Sequence, residues 1–380
     1  MATQAQFKEI EAALVLSQLD LSRRGEAVEL FIKGMSLKNI FREWKEKSCP
    51  DVLTVLERFN PEKEIFTCGA KKIELISISD PAYPETLKSI TDPPFILYAR
   101  GRVELMQDLA LAVVGSRQAS FYGIEQARRF SRVLADSGLT IVSGLALGID
   151  QTAHEAALDA DGHTIAVLGC GADVVYPAEN QKLFSRIADR GLILSEYPLG
   201  AEPRAYHFPR RNRILSGLSL GVLVVEAHER SGSLITAYQA LEQGREVFAI
   251  PGPVHHITSR GTHRIIREGA TLVEAPEEII LSIAENSGML EFHAQKKPEP
   301  ASAELFDSVA PNPTGGLAES ELVQEEINHP ILAILQKQNR DYEGLFELSG
   351  MAPHDFAQIL TELEIEGKVR KNSSGYYELA

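Results

Sequence analysis

Cysteine is nearly missing from this sequence. The three present, Cys49, Cys68 and Cys170, are scattered and match neither a disulfide framework nor metal-ligand spacing. A reducing, cytoplasmic setting is the plain expectation. No apolar run approaches the roughly 18 residues that a membrane-spanning helix needs, so no membrane partner is expected. Met1 to Asp20 mixes Lys8, Glu9 and Glu11 into its apolar residues and lacks the basic start and apolar centre of a secretory signal. Two nucleotide motifs are missing as well. There is no Walker A lysine, and no spaced Gly-x-Gly-x-x-Gly that ends the first strand with a ribose-binding acid about 20 residues on. ATP turnover and ordinary NAD chemistry are therefore disfavoured. Positive charge is in deficit: 38 Lys and Arg against 53 Asp and Glu leave a net charge of -15. That argues against non-specific attraction to nucleic acid. The acid excess, however, gathers in a linker and in the tail. The central part is nearly balanced and holds tight basic clusters.

At 380 residues, two to three domains are expected. The organising stretch runs from Leu111 to Gly252. Apolar runs without polar alternation recur at Leu111–Arg117, where the run stops on Gly115, Ser116 and Arg117, and at Thr140–Gly144, Thr164–Gly169, Leu192–Glu196, Gly221–Glu226 and, more weakly, Glu246–Gly252. Such runs read as strands buried on both faces. Helix-length amphipathic segments separate most of them, so the fold class is α/β, with a Rossmann-like, doubly wound, mostly parallel sheet. Residues 1–67 read as a small helical domain, with Ser36 as N-cap of a helix over Leu37–Trp44. Residues 68–286 read as the α/β domain, entered through an extended connector. Prolines at 81, 84, 93 and 94 break up that connector. It is expected to hold a short helix near Glu85–Ile90 and an edge strand at Phe95–Tyr98. Residues 287–326, rich in proline, glycine and glutamate, read as a flexible acidic linker. Residues 327–380 read as three helices and a hairpin turning at Asn372–Gly375, the order of a winged helix. Its third helix carries Asp355, Glu362, Glu364 and Glu366. That acidity favours a protein contact or a structural role over a DNA groove.

Chemistry is expected in the loops at the carboxyl ends of the strands. After the first strand, Ser116, Ser120 and the backbone N–H groups at the helix start form an anion site, to which Arg117 adds a phosphate-matching fork. The plainer alternative makes Ser120 an N-cap and Arg117 a surface cation. Asp150 and His154, four apart, either form an acid/base pair or serve as an N-cap and a hydrogen-bonded histidine; the second is preferred. The richest segment is Phe208-Pro209-Arg210-Arg211-Asn212-Arg213, with His207 ahead of it. Guanidinium groups beside rings suit single-stranded nucleic acid. The alternative is an internal salt-bridge network, with Glu226 as a candidate acid. Ser231-Gly232-Ser233 offers another helix-start cradle. His255, His256 and His263 lack a carboxylate pattern, so no metal is expected.

In order along the chain, these loops resemble the DNA-processing protein A family (DprA, also called Smf). The motifs are Tyr83-Pro84, Asp92-Pro93-Pro94, Val114-Gly115-Ser116-Arg117, Ser143-Gly144 through Gly148-Ile149-Asp150, Ala153-His154, Tyr176-Pro177, Ser195-Glu196-Tyr197-Pro198, Phe208 through Arg213, Ser231-Gly232-Ser233 and Ile250-Pro251-Gly252. The resemblance implies a core that binds single-stranded DNA without catalysis or cofactor and forms a homodimer. It also implies loading of RecA recombinase onto strands taken up in natural transformation. A SAM-like helical domain and a winged helix would be accessories. By position, Arg117 would grip phosphate, Arg210, Arg211 and Arg213 would line the same pocket, and Lys182 would lie near its rim. Ala178 stands where the family often has a basic residue, and His263 follows Gly261-Thr262 where asparagine is frequent. A nucleotide-cleaving enzyme, similar to cytokinin-activating phosphoribohydrolases, is the competing expectation. Against it, no acid follows Ser231-Gly232-Ser233 until Glu242.

Overall fold

The computed structural model describes residues 4–286 and, beyond them, residues 331, 335, 342–349, 351, 356, 359–360, 363, 368–371 and 377–379. The expected linker, the hairpin turn and most of the last expected helix lie outside the described residues.

Five helices come first: α1 (Gln4–Ser17), α2 (Leu21–Ile32), α3 (Leu37–Glu46), α4 (Pro50–Arg58) and α5 (Pro61–Ala70). Their starts follow local chemistry. Asp20, Ser36 and Asn60 each accept a backbone N–H three residues on, and Pro50 and Pro61 occupy first helical positions, where no N–H is needed. Ala12 to Leu16 are all fully buried. A surface helix buries one stripe; α1 is instead enclosed by the other helices and by the sheet. One hydrophobic core therefore runs from Ala12 and Ile40 into the strands. The expected boundary at residue 67 does not separate two cores, and everything described through Asn286 falls in one compact unit.

The sheet has nine strands: β1 (Glu74–Ser77), β2 (Ile96–Gly101), β3 (Ala110–Val114), β4 (Thr140–Ser143), β5 (Thr164–Leu168), β6 (Leu192–Ser195), β7 (Gly221–Val224), β8 (Glu246–Ala249) and β9 (Thr271–Leu272). Their order is β1-β2-β6-β5-β4-β3-β7-β8-β9. From β6 to β9 every neighbour pair is parallel, while β2 runs antiparallel to β6 and β1 antiparallel to β2. The helices between strands are α6 (Glu85–Lys88), α7 (Phe121–Asp136), α8 (Ile149–Asp159), α9 (Gln181–Arg190), α10 (His207–Gly217), α11 (Gly232–Glu242), α12 (Arg260–Arg267) and α13 (Pro276–Asn286). This is the mixed α/β, mostly parallel sheet that the buried runs predict.

Phe95–Tyr98 was expected at an edge. The strand there is β2, which lies inside the sheet with Ile96 to Ala99 buried, and β1 forms the edge. The prolines are confined to the β1–β2 crossover, which the Tyr83 hydroxyl closes by donating to the Pro94 carbonyl at 2.8 Å. They therefore leave the ladder of β2 intact.

In the second unit, a helix spans Tyr342–Ser349 and strand Val369–Lys371 pairs antiparallel with Tyr377–Leu379. Ile331, Leu345, Phe356, Leu360 and Tyr377 share its small core.

Candidate nucleic-acid interface

The sheet reverses its winding between β3 and β7. Their loops part to opposite sides there, the switch point at which open α/β sheets bind ligands. A cleft of about 450 Å³ opens at this place. Its walls are the loops after β3 and β7, the first turns of α10 and α11, and the loop before α8. Gly148 lets the β3 and β4 loops meet. Its φ is +80°, and a Cβ there would strike the Ser116 carbonyl, so the position requires glycine.

The predicted residues divide into those that face this cleft and those that do not. Ser116, Arg117, Phe208, Arg211, Asn212, Ser231, Gly232 and Ser233 line it. Arg117 is exposed, and its guanidinium lies 5.3 Å from the centre of the Phe208 ring. Phe208 also meets Tyr176 with centroids 5.6 Å apart. Tyr176, Phe208 and Arg117 thus offer flat surfaces and a cation on one rim. Arg211 is buried and reaches across the cleft floor. Its Nη1 donates to the Gly144 carbonyl at 3.0 Å and to that of Val167. A Cβ on Gly144 would occupy the place of that guanidinium. Nearby Asp150 accepts from the Gly144 N–H at 3.1 Å. Burial pushes the Asp150 carboxyl above and the Arg211 guanidinium below their ordinary values, and each charge partly restores the other.

Two helix starts were expected to bind anions, and they differ. At α7 the position is taken. Ser120 donates to Glu226 through its N–H at 2.9 Å and through its hydroxyl at 2.6 Å, and Thr258 adds a third bond at 3.0 Å. The carboxylate of Glu226 thus fills the site an external phosphate would use. Ser120 also accepts from the Gly123 N–H, so it is an N-cap, as the plainer alternative held. At α11 the start is open. Ser231 caps it, Gly232 has nothing within 4 Å of a would-be Cβ, and no acid occupies the first turn.

Arg213 faces away from the cleft. Its guanidinium forms a two-pronged pair with Glu196 at 3.0 and 2.7 Å and bonds Asp92 at 3.1 Å. Arg24 from α2 joins at 2.5 Å from Asp92, and Arg210 lies 3.7 Å from Glu196. The expected internal salt-bridge network therefore exists, built on Glu196 and Asp92 instead of Glu226. Burial opposes charge on Arg213, but the two carboxylates outweigh it and raise its pKa. Lys182 is exposed on α9 and lines none of the clefts described here. Arg230 and His228 do line the main cleft and were not singled out in the sequence. Their place just before the Ser-Gly-Ser cradle was the available signal. His154 is the hydrogen-bonded histidine of the preferred alternative, held by Thr164 at 2.6 Å, but Asp150 is not the N-cap that alternative expected, since Gly148 holds that position and Asp150 lies in the first turn of α8. His263 bonds the Gly252 carbonyl at 2.9 Å.

Comparison with known proteins follows this geometry. Residues 74–284 match the family model of DNA recombination-mediator protein A, more than half of the 380 residues. Protein Smf of Escherichia coli K12 is 46% identical over 258 residues, covering 67% of this chain and 66% of that protein. The crystal structure of DNA processing protein A from Streptococcus pneumoniae superposes with a TM-score of 0.63 at 38% identity, covering 71% of this chain and 95% of that one. The Helicobacter pylori protein of the same name, described for its single-stranded DNA binding mode, gives a TM-score of 0.51 at 32% identity, covering 56% and 97%. The description of the matching family model is that of a mediator of recombination. By sequence and by fold alike, the chain belongs to the DNA recombination-mediator protein A family.

Proposed function

We propose that this protein binds single-stranded DNA, without catalysis, in the cleft between the β3 and β7 loops. One observation carries the reading. An exposed arginine, Arg117, lies over an aromatic ring at the mouth of a cleft whose far wall is an open helix start. Rings accept any base by stacking, and cations with free N–H groups accept the backbone. The single-stranded DNA binding described for the Helicobacter pylori relative supports it. The test is a binding comparison of single-stranded and duplex DNA across a salt series. A contact to one phosphate contributes about -0.7 to the logarithmic salt slope on single strands. Arg117→Ala should weaken single-strand binding and flatten that slope by about this amount. An unchanged affinity would remove Arg117 from the site.

On the same reading, the protein works as a homodimer in the cytoplasm and helps load RecA recombinase during recombination and natural transformation. RecA filament growth on strands coated with single-strand binding protein should speed up when this protein is added. No acceleration would end that part of the reading. Residues 327–380 are read as a winged helix serving protein contact or structure, in keeping with the Asp355, Glu362, Glu364 and Glu366 of its expected third helix.

A further inference from the structure

A second cleft, of about 350 Å³, lies on the other flank of the first turn of α10. Phe208, Arg211 and Asn212 face the first cleft, while His207 and Arg210, three apart, face the second. The opposite wall is the end of α1, at Ser17 and Gln18.

Two features of this cleft serve no evident purpose in folding. Tyr206 is 63% exposed although it is a large aromatic. It is nonetheless held in place: Arg204 donates to its hydroxyl at 3.0 Å, and its ring meets His207 edge-on at 4.6 Å, which in turn stacks on Tyr197 at 3.9 Å. An exposed ring with its orientation fixed is ready to stack. The second feature is Arg210. Its Nε is buried without a hydrogen-bond partner, and its neighbour Glu196 is already gripped by Arg213. Arg24, Arg210 and Arg213 pair with Asp92 and Glu196 in this network, and Arg204 and Glu202 add one charge of each sign to the cleft wall, so positive charge exceeds negative by one.

We propose that the second cleft holds the next nucleotides of the strand bound in the first. The strand crosses the start of α10, Arg210 takes the crossing phosphate, and Tyr206 stacks a base. This rests on the single-stranded DNA reading of the first cleft and extends it to a two-cleft track. The volume lies in the range of small-ligand sites, about 300–1,000 Å³.

The test measures binding of two thymidine strands, one of about two or three nucleotides and one of about 12, to the full chain, to Tyr206→Ala and to Tyr206→Phe. The short strand fills the first cleft alone. Tyr206→Ala should weaken the long strand roughly 5- to 150-fold, the loss of one stacked base, and leave the short strand unchanged. Tyr206→Phe keeps the ring and should bind both strands as the parent does. An equal loss on both strands would mean that Tyr206 merely shapes α10, and would overturn the track. So would no loss on either, or a Phe variant as weak as the Ala variant. A parent protein that binds neither strand would bring down the first-cleft reading and this one with it. Tight parental binding with an indifferent Tyr206 would overturn only this one.

Discussion

Glu226 and His154 have no direct part in gripping a strand, yet each fixes something near the cleft. Glu226 decides which helix start is open. It accepts three hydrogen bonds from Ser120 and Thr258, so α7 offers no site while α11 does. Glu226→Gln puts a donor where an acceptor is needed and should lower stability by about 1–3 kcal/mol, read as a lower urea midpoint. Single-strand affinity should hold. A midpoint equal to the parent's would show that the carboxylate does not anchor the helix start. His154 governs behaviour in acid. The Thr164 hydroxyl donates to the Ile141 carbonyl at 2.7 Å, so it accepts from Nδ1–H of a neutral imidazole. Burial, with help from the Arg211 charge, drops the His154 pKa to about 3 from 6.5. The unfolded chain binds this proton first as pH falls. Stability is therefore full above about pH 6.5 and declines toward pH 3, by at most about 1.4 kcal/mol per pH unit. Asp150, whose pKa is raised, acts with the opposite sign and cannot produce that decline. His154→Gln should unfold in urea with a smaller difference between pH 7 and pH 5 than the parent. An undiminished difference would assign the acid loss to other groups.

At the scale of elements, α10 explains why the arginine cluster was only partly legible. The sequence shows three arginines in four residues and a ring beside them. It does not show the rotation of about 100° per residue that sends Arg211 into the cleft and Arg213 to Glu196. The two roles can be separated by measurement. Arg213→Ala leaves Glu196 and Asp92 short of a buried partner and should cost about 3–5 kcal/mol of stability. Where the variant still folds, the salt slope of DNA binding should stay at the parental value, in contrast to Arg117→Ala. A flattened slope for Arg213→Ala would put that side chain on the strand. The strands were far more legible. Six buried apolar runs became β3 to β8 with ends shifted by up to three residues, because a strand covered on both faces has no polar alternation to blur it. By contrast, β9 is two exposed residues long and leaves no such trace. β1 was hidden for a similar reason, since only two of its four residues, Ile76 and Ser77, are buried.

For the first unit, the sequence misled most about what holds it together. Composition changes at the proline-rich connector, and that change reads as a domain boundary at residue 67. The structure runs contacts straight across it. Arg24 pairs with Asp92, Glu64 accepts the Leu199 N–H at 2.7 Å, and Lys71 pairs with Asp173 at 2.5 Å. Ala12 to Leu16 sit in the same core as β2. Nothing local in the sequence reports such pairings, since they join residues tens of positions apart. The consequence concerns where the chain can be cut. A fragment beginning at residue 68 loses Arg24 and Glu64, uncovers β1 and β2, and leaves Asp92 and Glu196 with fewer cations. It should be poorly soluble or unfold at a lower temperature, with its DNA affinity reduced because α10 is no longer clamped. A fragment ending after residue 297 keeps the whole first unit and should melt and bind single strands as the full chain does. Melting curves and salt titrations of the two fragments side by side decide the matter. If the fragment from residue 68 melts at the same temperature as the one that keeps the helices, the five helices are an appendage and the buried arginine network does not support the cleft.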